Sequence, residues 1–330
     1  MKILITGGAG YVGSNVVRLL TESGHEVVVL DDLRQGHRDA VPDVPLVQGD
    51  VADPEAVRQA REILPFEAAV HLAADCLVGE SMRHPERYYH NNLFSSMKLV
   101  QHLRDLDVHR LVFSSSAATY GEPQSLPISE EHPTRPSNPY GETKVAFERL
   151  LHWQHRAHDF RAVSLRYFNA AGAGFGGEVG EDHDPETHLI PRLLAVALGK
   201  EAAFEILGDD YPTPDGTCVR DFVHVEDLAR AHLLALHALE GGLQGGTFNL
   251  GSETGYSVRQ VVQEAREVTG CDIPVDVGPR RTGDPPCLVA SSRRIREELG
   301  WKPVLGQLRD ILTSAWEWHR RRPDGYEARG

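Results

Sequence analysis

Lys2-Ile3-Leu4-Ile5-Thr6-Gly7-Gly8-Ala9-Gly10-Tyr11-Val12-Gly13 opens the chain, and its reading decides the fold. A short apolar run meets glycines at once, then apolar residues at helical spacing, Val16, Val17, Leu19 and Leu20; this predicts strand, tight turn and helix. Gly8, Gly10 and Gly13 match Gly-x-Gly-x-x-Gly, where missing side chains let backbone amides at a helix amino end approach a pyrophosphate. The next strand, Val27-Val28-Val29-Leu30, ends in Asp31-Asp32 about 20 residues beyond the glycines, where a carboxylate can accept from adenosine ribose hydroxyls. That favours NAD over NADP, although Arg34 and Arg38 lie close enough to greet a 2′-phosphate.

The same strand and helix alternation continues outward. Pro45 to Val47 with Gly49-Asp50-Val51 reads as a third strand; Asp50 either lies beside the adenine or caps the helix beginning near Pro54. Ala68 to Ala74 is a buried strand with small residues at its carboxyl end, and its His71 reads as a satisfied core histidine. The helical run from Tyr88 to Arg104 is expected to bury Leu93, Phe94, Met97, Val100 and Leu103. Leu111-Val112-Phe113 then closes in Ser114-Ser115-Ser116, hydroxyls at the ligand edge of an open α/β sheet. A proline-rich connector, Pro123 to Pro139, delivers Tyr140 onto a helix.

Tyr140-Gly141-Glu142-Thr143-Lys144 places a weak acid and a fixed cation on one helix face. At about 4 Å and an effective dielectric of ~20 the attraction favours the phenolate by roughly 4 kcal/mol before any competing desolvation. At about 1.36 kcal/mol per unit this would bring a phenol from about 10 towards 7.

With 330 residues, 41% hydrophobic and 25% charged, the chain is long enough for one large core and a second smaller domain. Its 48 acidic against 34 basic residues give a formal charge of −14, which disfavours non-specific binding to nucleic acid or anionic membrane. An anionic ligand must therefore be met by locally placed Arg or Lys. The amino terminus lacks a signal-peptide run and no stretch approaches a membrane span, so a cytoplasmic location is expected. Cys76, Cys218, Cys271 and Cys287 are widely spaced and read as reduced thiols; no metal site is expected. The pattern changes after Ala162 to Phe168, with glycines from Gly172 to Gly180. The expected division is residues 1–172 for the nucleotide and 173–330 for the substrate, with a segment of about 219–250 free to return to the first.

Together, Thr6 to Gly13, Asp31, the serine triplet, Tyr140-x-x-x-Lys144 and Leu165-Arg-Tyr-Phe-Asn169 resemble the extended short-chain dehydrogenase/reductases. Within that group, His71-Leu-Ala-Ala-Asp, Val78-Gly-Glu-Ser81, Tyr88-Tyr89-x-Asn-Asn92, Gly180-Glu-Asp-His, Glu186-Thr-His-Leu-Ile-Pro191, Asp210-Tyr-Pro-Thr, Arg220-Asp-Phe-Val-His-Val and Arg280-Arg-x-Gly-Asp284 look like the UDP-glucose/UDP-galactose 4-epimerase family. The 4,6-dehydratases fit worse: elimination of water needs an acidic pair where Ser116 is followed by Ala117-Ala118-Thr119.

The resemblance implies a doubly wound parallel Rossmann sheet of the α/β class with a smaller mixed α/β C-terminal substrate domain. It implies tightly bound NAD, recycled at each turnover and held by Gly7, Gly10, Tyr11, Val12, Asp31, Asp32, Asp50, Val51, Ala73, Ala74, Asn92, Ser114, Tyr140, Lys144 and Tyr167. Tyr140 would take the proton of the sugar's 4-hydroxyl while C4 passes hydride to NAD; Ser116 would hydrogen-bond that oxygen and Lys144 would hold the ribose and lower the tyrosine pKa. The 4-keto sugar must turn over, so the nucleotide is gripped and the hexose held loosely. Arg220, Arg281 and Asn169 are implied near the diphosphate, Asp284 at the uridine ribose, Leu189 and Phe204, Glu205 and Leu207 at the uracil, with Ala117, Ala118 and His188 also facing the UDP-sugar. A homodimer through a four-helix bundle is implied as well.

Two departures leave the sugar open. Arg192, after His188-Leu-Ile-Pro191, stands where the family has an apolar or neutral residue; it could pair with a C6 carboxylate, making the substrate UDP-glucuronate or UDP-galacturonate, or simply meet solvent. Leu288 occupies the position that gates the sugar's C2 substituent and is intermediate in size, so an N-acetyl sugar is neither excluded nor supported. A 4,6-dehydratase and an inactive NAD-sensing protein are the competing functions; intact Ser116, Tyr140 and Lys144 argue against the second.

Overall fold

The computed structural model describes residues 1–281 and 284–326. In chain order the strands are β1 (Lys2–Thr6), β2 (Glu26–Asp31), β3 (Leu46–Gln48), β4 (Ala68–His71), β5 (Arg110–Ser116), β6 (Arg161–Tyr167), β7 (Asn169–Ala171), β8 (Phe204–Leu207), β9 (Val219–His224), β10 (Gly245–Leu250), β11 (Gly255–Ser257), β12 (Val275–Gly278) and β13 (Cys287–Leu288). Seven of them form one parallel sheet in the order β10-β6-β5-β4-β1-β2-β3, which reverses direction between β1 and β4. Such a switch point opens a crevice beyond the strand carboxyl ends.

Alternation along the central strands explains the double winding. Ile3, Ile5, Val27 and Val29 enter one core with Val16, Val17 and Leu20 of the helix Tyr11–Glu22 and Leu228, Ala231 and Leu236 of the helix Val225–Glu240. Leu4, Val28 and Leu30 enter the opposite core with Val57, Leu99, Val100, Leu103 and Phe147 from three other helices. Strands buried on both faces need apolar residues at every position, hence the unbroken runs. β7, β9, β11 and β13 make a small mixed sheet, and β8 pairs with β12, over a third core that includes Ile190, Leu193, Leu194, Phe204 and Ile206.

The helix carrying Tyr140 and Lys144 runs Pro139–His158, with proline in its first turn and the Asn138 side chain accepting from Gly141 N at 2.9 Å. Two expectations are corrected. The cap of the helix Pro54–Ile63 is Asp53, not Asp50, whose carboxylate accepts from Ala52 N instead. The run from Tyr88 contains a π-helical turn at Tyr89–Phe94, and Phe94 and Met97, expected in the core, are 45% and 44% exposed. The wide turn shifts the apolar face by about one residue, so Leu99 takes the inward place beside Val100 and Leu103.

Three buried histidines set an acid limit. His71 bonds Thr6 and Ser96, as a satisfied core histidine should; His224 bonds Ser314, and His232 bonds Tyr167 and the Leu228 carbonyl. Burial, aided by Lys144 for His71 and by Arg230 for His224, lowers their pKa to about 3, 4 and 4. Folded values below the unfolded one mean that the unfolded chain binds protons the fold refuses. This contribution is therefore intact above pH ~6.5 and is lost as pH falls towards 4, by about 3 kcal/mol per histidine. Thermal melts followed by circular dichroism from pH 7.5 to 4.5 should show a steep fall in midpoint below 6.5; a flat midpoint would refute it.

Candidate active site

A cavity of about 880 Å³ lies at the carboxyl ends of β1, β4, β5 and β6 and runs from the glycine turn to β8. Every site residue named from the sequence lines it except Asn92 and the motif glycine Gly8. Asn92 is buried and clasps the backbone of Asp75, donating to its carbonyl at 2.8 Å and accepting from its N–H at 2.9 Å. It thereby positions the loop after β4, whose Ala73, Ala74 and Asp75 line the cavity.

At the nucleotide end, Gly7 adopts φ +69° and a Cβ there would stand 2.5 Å from Ala73 N, so only glycine lets the turn pass Ala73 and Ala74. A Cβ on Gly10, the residue before the helix Tyr11–Glu22, would meet only the Gly7 carbonyl at 3.5 Å; the space beyond is cavity, shaped for a ligand close to backbone. Tyr11 donates its hydroxyl to the Gly172 carbonyl at 2.6 Å, so its backbone and that of Val12 face the ligand. Asp31 is buried, with its carboxylate accepting from Ala9 N and Leu33 N at 2.9 Å each; burial still holds its pKa above the usual range. Arg34 is paired with Asp32 at 2.6 Å, and Arg38 donates to the carbonyls of Val41 and Val44 at 3.0 Å. Arg38 is thus turned to backbone and away from the cavity, while Arg34 lines the nucleotide end with Asp32 as its partner. Asp50 and Val51 line the same end.

At the centre, the Ser116 hydroxyl accepts from Ala118 N at 3.1 Å and lies near enough to the Tyr140 phenol to favour its ionised form. Lys144 is 3% exposed; its Nζ donates to the Ser114 carbonyl at 2.8 Å and lies 5.6 Å from the Tyr140 ring centroid. The expectation that Lys144 would draw the phenol down towards 7 is not met. Burial, with a smaller push from Cys76, raises the Tyr140 pKa despite the Ser116 hydroxyl, and burial lowers Lys144 to about 8. The expected attraction omitted desolvation, which works against the charged form of both groups. Tyr167 donates into a hydrogen bond with His232, behind Tyr140 and Lys144.

The far end holds the remaining expected residues, several already partnered. Arg220 pairs with Asp284 at 2.8 Å, Asn169 donates to the Asp221 carbonyl at 2.7 Å, and Leu288 sits opposite Arg220 in the sheet. Arg281, Leu189, Glu205 and Leu207 line the wall. Arg192 is engaged rather than waiting: its guanidinium pairs with Glu201 at 3.2 Å and stacks over Phe204, 5.7 Å from the ring centroid.

Sequence reading missed Asp75, Cys76, Glu181 and His183, all of which line the cavity. Asp75 is held by Arg87 at 3.1 Å, and Arg87 also holds Glu80 at 2.7 Å. Glu181, His183, Glu186 and His188 converge at one point on the wall. Their signal was present as Glu-x-His-x-x-Glu-x-His, but only His188 was singled out. Burial alone would raise Glu181, yet the imidazoles of His188 and His183 outweigh it, and the carboxylates in turn raise both histidines.

The comparisons agree with this geometry. Residues 3–251 match the model of the NAD dependent epimerase/dehydratase family. The chain is 51% identical over 332 residues to the UDP-glucose 4-epimerase of Streptococcus mutans, covering 100% of both chains. It superposes with TM-score 0.93 on the Brucella ovis UDP-glucose 4-epimerase in complex with NAD, at 44% identity over 96% of this chain and 97% of that one. The Bifidobacterium longum UDP-glucose 4-epimerase in complex with NAD+ and UDP gives TM-score 0.93 at 34% identity, covering 99% and 100%.

Proposed function

The chain belongs to the NAD dependent epimerase/dehydratase family, and from that premise we propose that it interconverts UDP-glucose and UDP-galactose by inverting C4 through a transient 4-keto sugar. The observation that carries this reading is one continuous cavity joining the glycine turn, the Ser116-Tyr140-Lys144 group and the Arg220-Asp284 end. NAD, cradled at Gly7, Gly10, Asp31, Asp32, Ala73 and Ala74, supplies the acceptor and donor of hydride at C4. The protein's part is to move a proton and to hold the nucleotide. Tyr140 Oη carries the proton to and from the sugar's 4-oxygen, and Ser116 shares that oxygen through a hydrogen bond. Lys144, anchored on Ser114 O, fixes a cation behind the phenol and faces the cofactor. Arg220 and Arg281 meet the diphosphate at the far end, leaving the hexose space to turn.

The uronate alternative loses its support, because Arg192 already has Glu201 as partner. Purified protein given UDP-glucose without added NAD should reach a UDP-glucose/UDP-galactose mixture by proton NMR, with UDP-glucuronate unchanged in parallel. A requirement for stoichiometric NAD with an accumulating oxidised sugar would overturn the reading.

Three coarser features go with it. We assign residues 1–172 to the nucleotide and 173–330 to the substrate, with the segment of about 219–250 returning to the first; support comes from β10 and the helix Val225–Glu240, which join the large sheet's core. A cytoplasmic location is in keeping with free Cys76, Cys218, Cys271 and Cys287, and no helix among the described residues is long and apolar enough to cross a membrane. A homodimer would cover Tyr89, Phe94, Met97 and Trp153, exposed on the two helices expected in the bundle. Sedimentation equilibrium should give twice the chain mass, and Trp153→Glu should shift it towards the monomer.

A further inference from the structure

Beyond that reaction, we propose that Glu181, His183, Glu186 and His188 form a binding site for a divalent cation of the zinc type in the wall of the cavity. One ligand atom from each of the four lies within 4.8 Å of all the others. His183 Nδ1 stands 3.3 Å from Glu181 Oε1 and 3.5 Å from Glu186 Oε2; His188 Nδ1 stands 4.0 Å from Glu186 Oε1 and contacts Glu181 Oε1. Zinc bonds to nitrogen and carboxylate oxygen of about 2.0–2.2 Å place tetrahedral ligand atoms roughly 3.4 Å apart. The separations bracket that spacing; to admit an ion the Glu181–His188 contact must open and the wider pairs, up to 4.8 Å, must close.

The set is chemically selective. Two imidazoles with two carboxylates suit zinc and its neighbours, whereas magnesium prefers six oxygens, several of them water. The ligands are also held from behind, as metal ligands require. Glu181 is 5% exposed, and its carbonyl accepts from Trp318 Nε1 at 3.1 Å. Glu186 Oε1 accepts from Thr187 N and His188 N at 2.7 Å each, which leaves Oε2 turned to His183. The His183 and His188 rings meet edge to face, 5.4 Å between centroids, and both Nδ1 atoms approach the same Glu181 Oε1. An ion there would tie the loop before the helix Leu189–Ala197 into a single cross-linked turn beside the substrate.

The test uses the full chain with its cofactor retained, stripped with a chelator, returned to buffer and titrated with Zn2+ by calorimetry and with Co2+ by visible absorption. The expected result is one Zn2+ per chain at a Kd of about 1 µM or tighter, Mg2+ weaker by about 100-fold or more, and the d–d bands of four-coordinate Co2+. His183→Gln and Glu186→Gln should each weaken Zn2+ by about 10–100-fold, while His109→Gln, at the opposite end of β5, leaves it unchanged. Two separate ligand variants guard against one failing to fold. Substoichiometric zinc, equal affinity in wild type and both ligand variants, or an octahedral Co2+ spectrum would overturn the site and leave the cluster as imidazolium–carboxylate pairs.

Discussion

Tyr140→Phe is expected to lower kcat by roughly 10²–10⁴-fold, the range of a lost general acid–base. The substitution removes one oxygen and keeps the ring, whose edge faces Tyr88 at 6.5 Å between centroids, so the packing of the helix Pro139–His158 is retained. Neither of its neighbours at the centre of the site can replace it. The Ser116 hydroxyl is engaged with Ala118 N, and Lys144 is anchored on the Ser114 carbonyl. Because proton transfer is needed in the transition state and not for binding, kcat and kcat/KM should fall together with KM nearly unchanged. Retained cofactor, measured after denaturation, should match wild type. A loss below tenfold would show that another group carries the proton.

Arg166→Met should produce the largest loss of stability, roughly 3–5 kcal/mol. Arg166 and Glu148 are 7% and 10% exposed and form a two-pronged pair at 2.9 and 2.6 Å. Arg166 also donates to the Tyr120 hydroxyl at 2.8 Å, which donates on to Asn249 at 2.6 Å. Removing the arginine leaves a buried carboxylate without a countercharge, the costly case, whereas replacing both partners by apolar residues comes close to neutral. The thermal midpoint should drop by about 4–7 °C, and the double variant Glu148→Leu/Arg166→Met should recover much of the drop. A single variant within 2 °C of wild type would refute the account. Turnover should suffer too: Glu148 lies one helical turn beyond Lys144 and accepts from the Ser115 hydroxyl, so it registers the catalytic helix against β5.

Much of this protein is determined by sequence alone, because the information is local. A strand, a glycine turn and a helix are encoded within the first 22 residues, and Asp31 follows at a spacing set by one helix and one strand. The interval of four between Tyr140 and Lys144 fixes their shared face whatever surrounds them. That is why nearly every residue named from the sequence lines one cavity. What only the tertiary structure decided depends on partners brought from far along the chain. Arg192 was open to a carboxylate until Glu201 came beside it. Phe94 and Met97 matched a buried face until a π-helical turn re-aimed them. Glu181, His183, Glu186 and His188 became a cluster only where the loop folds back on itself. Even the pKa of Tyr140 takes its direction from burial, and burial is a property of everything packed around a residue, which no short stretch of sequence states.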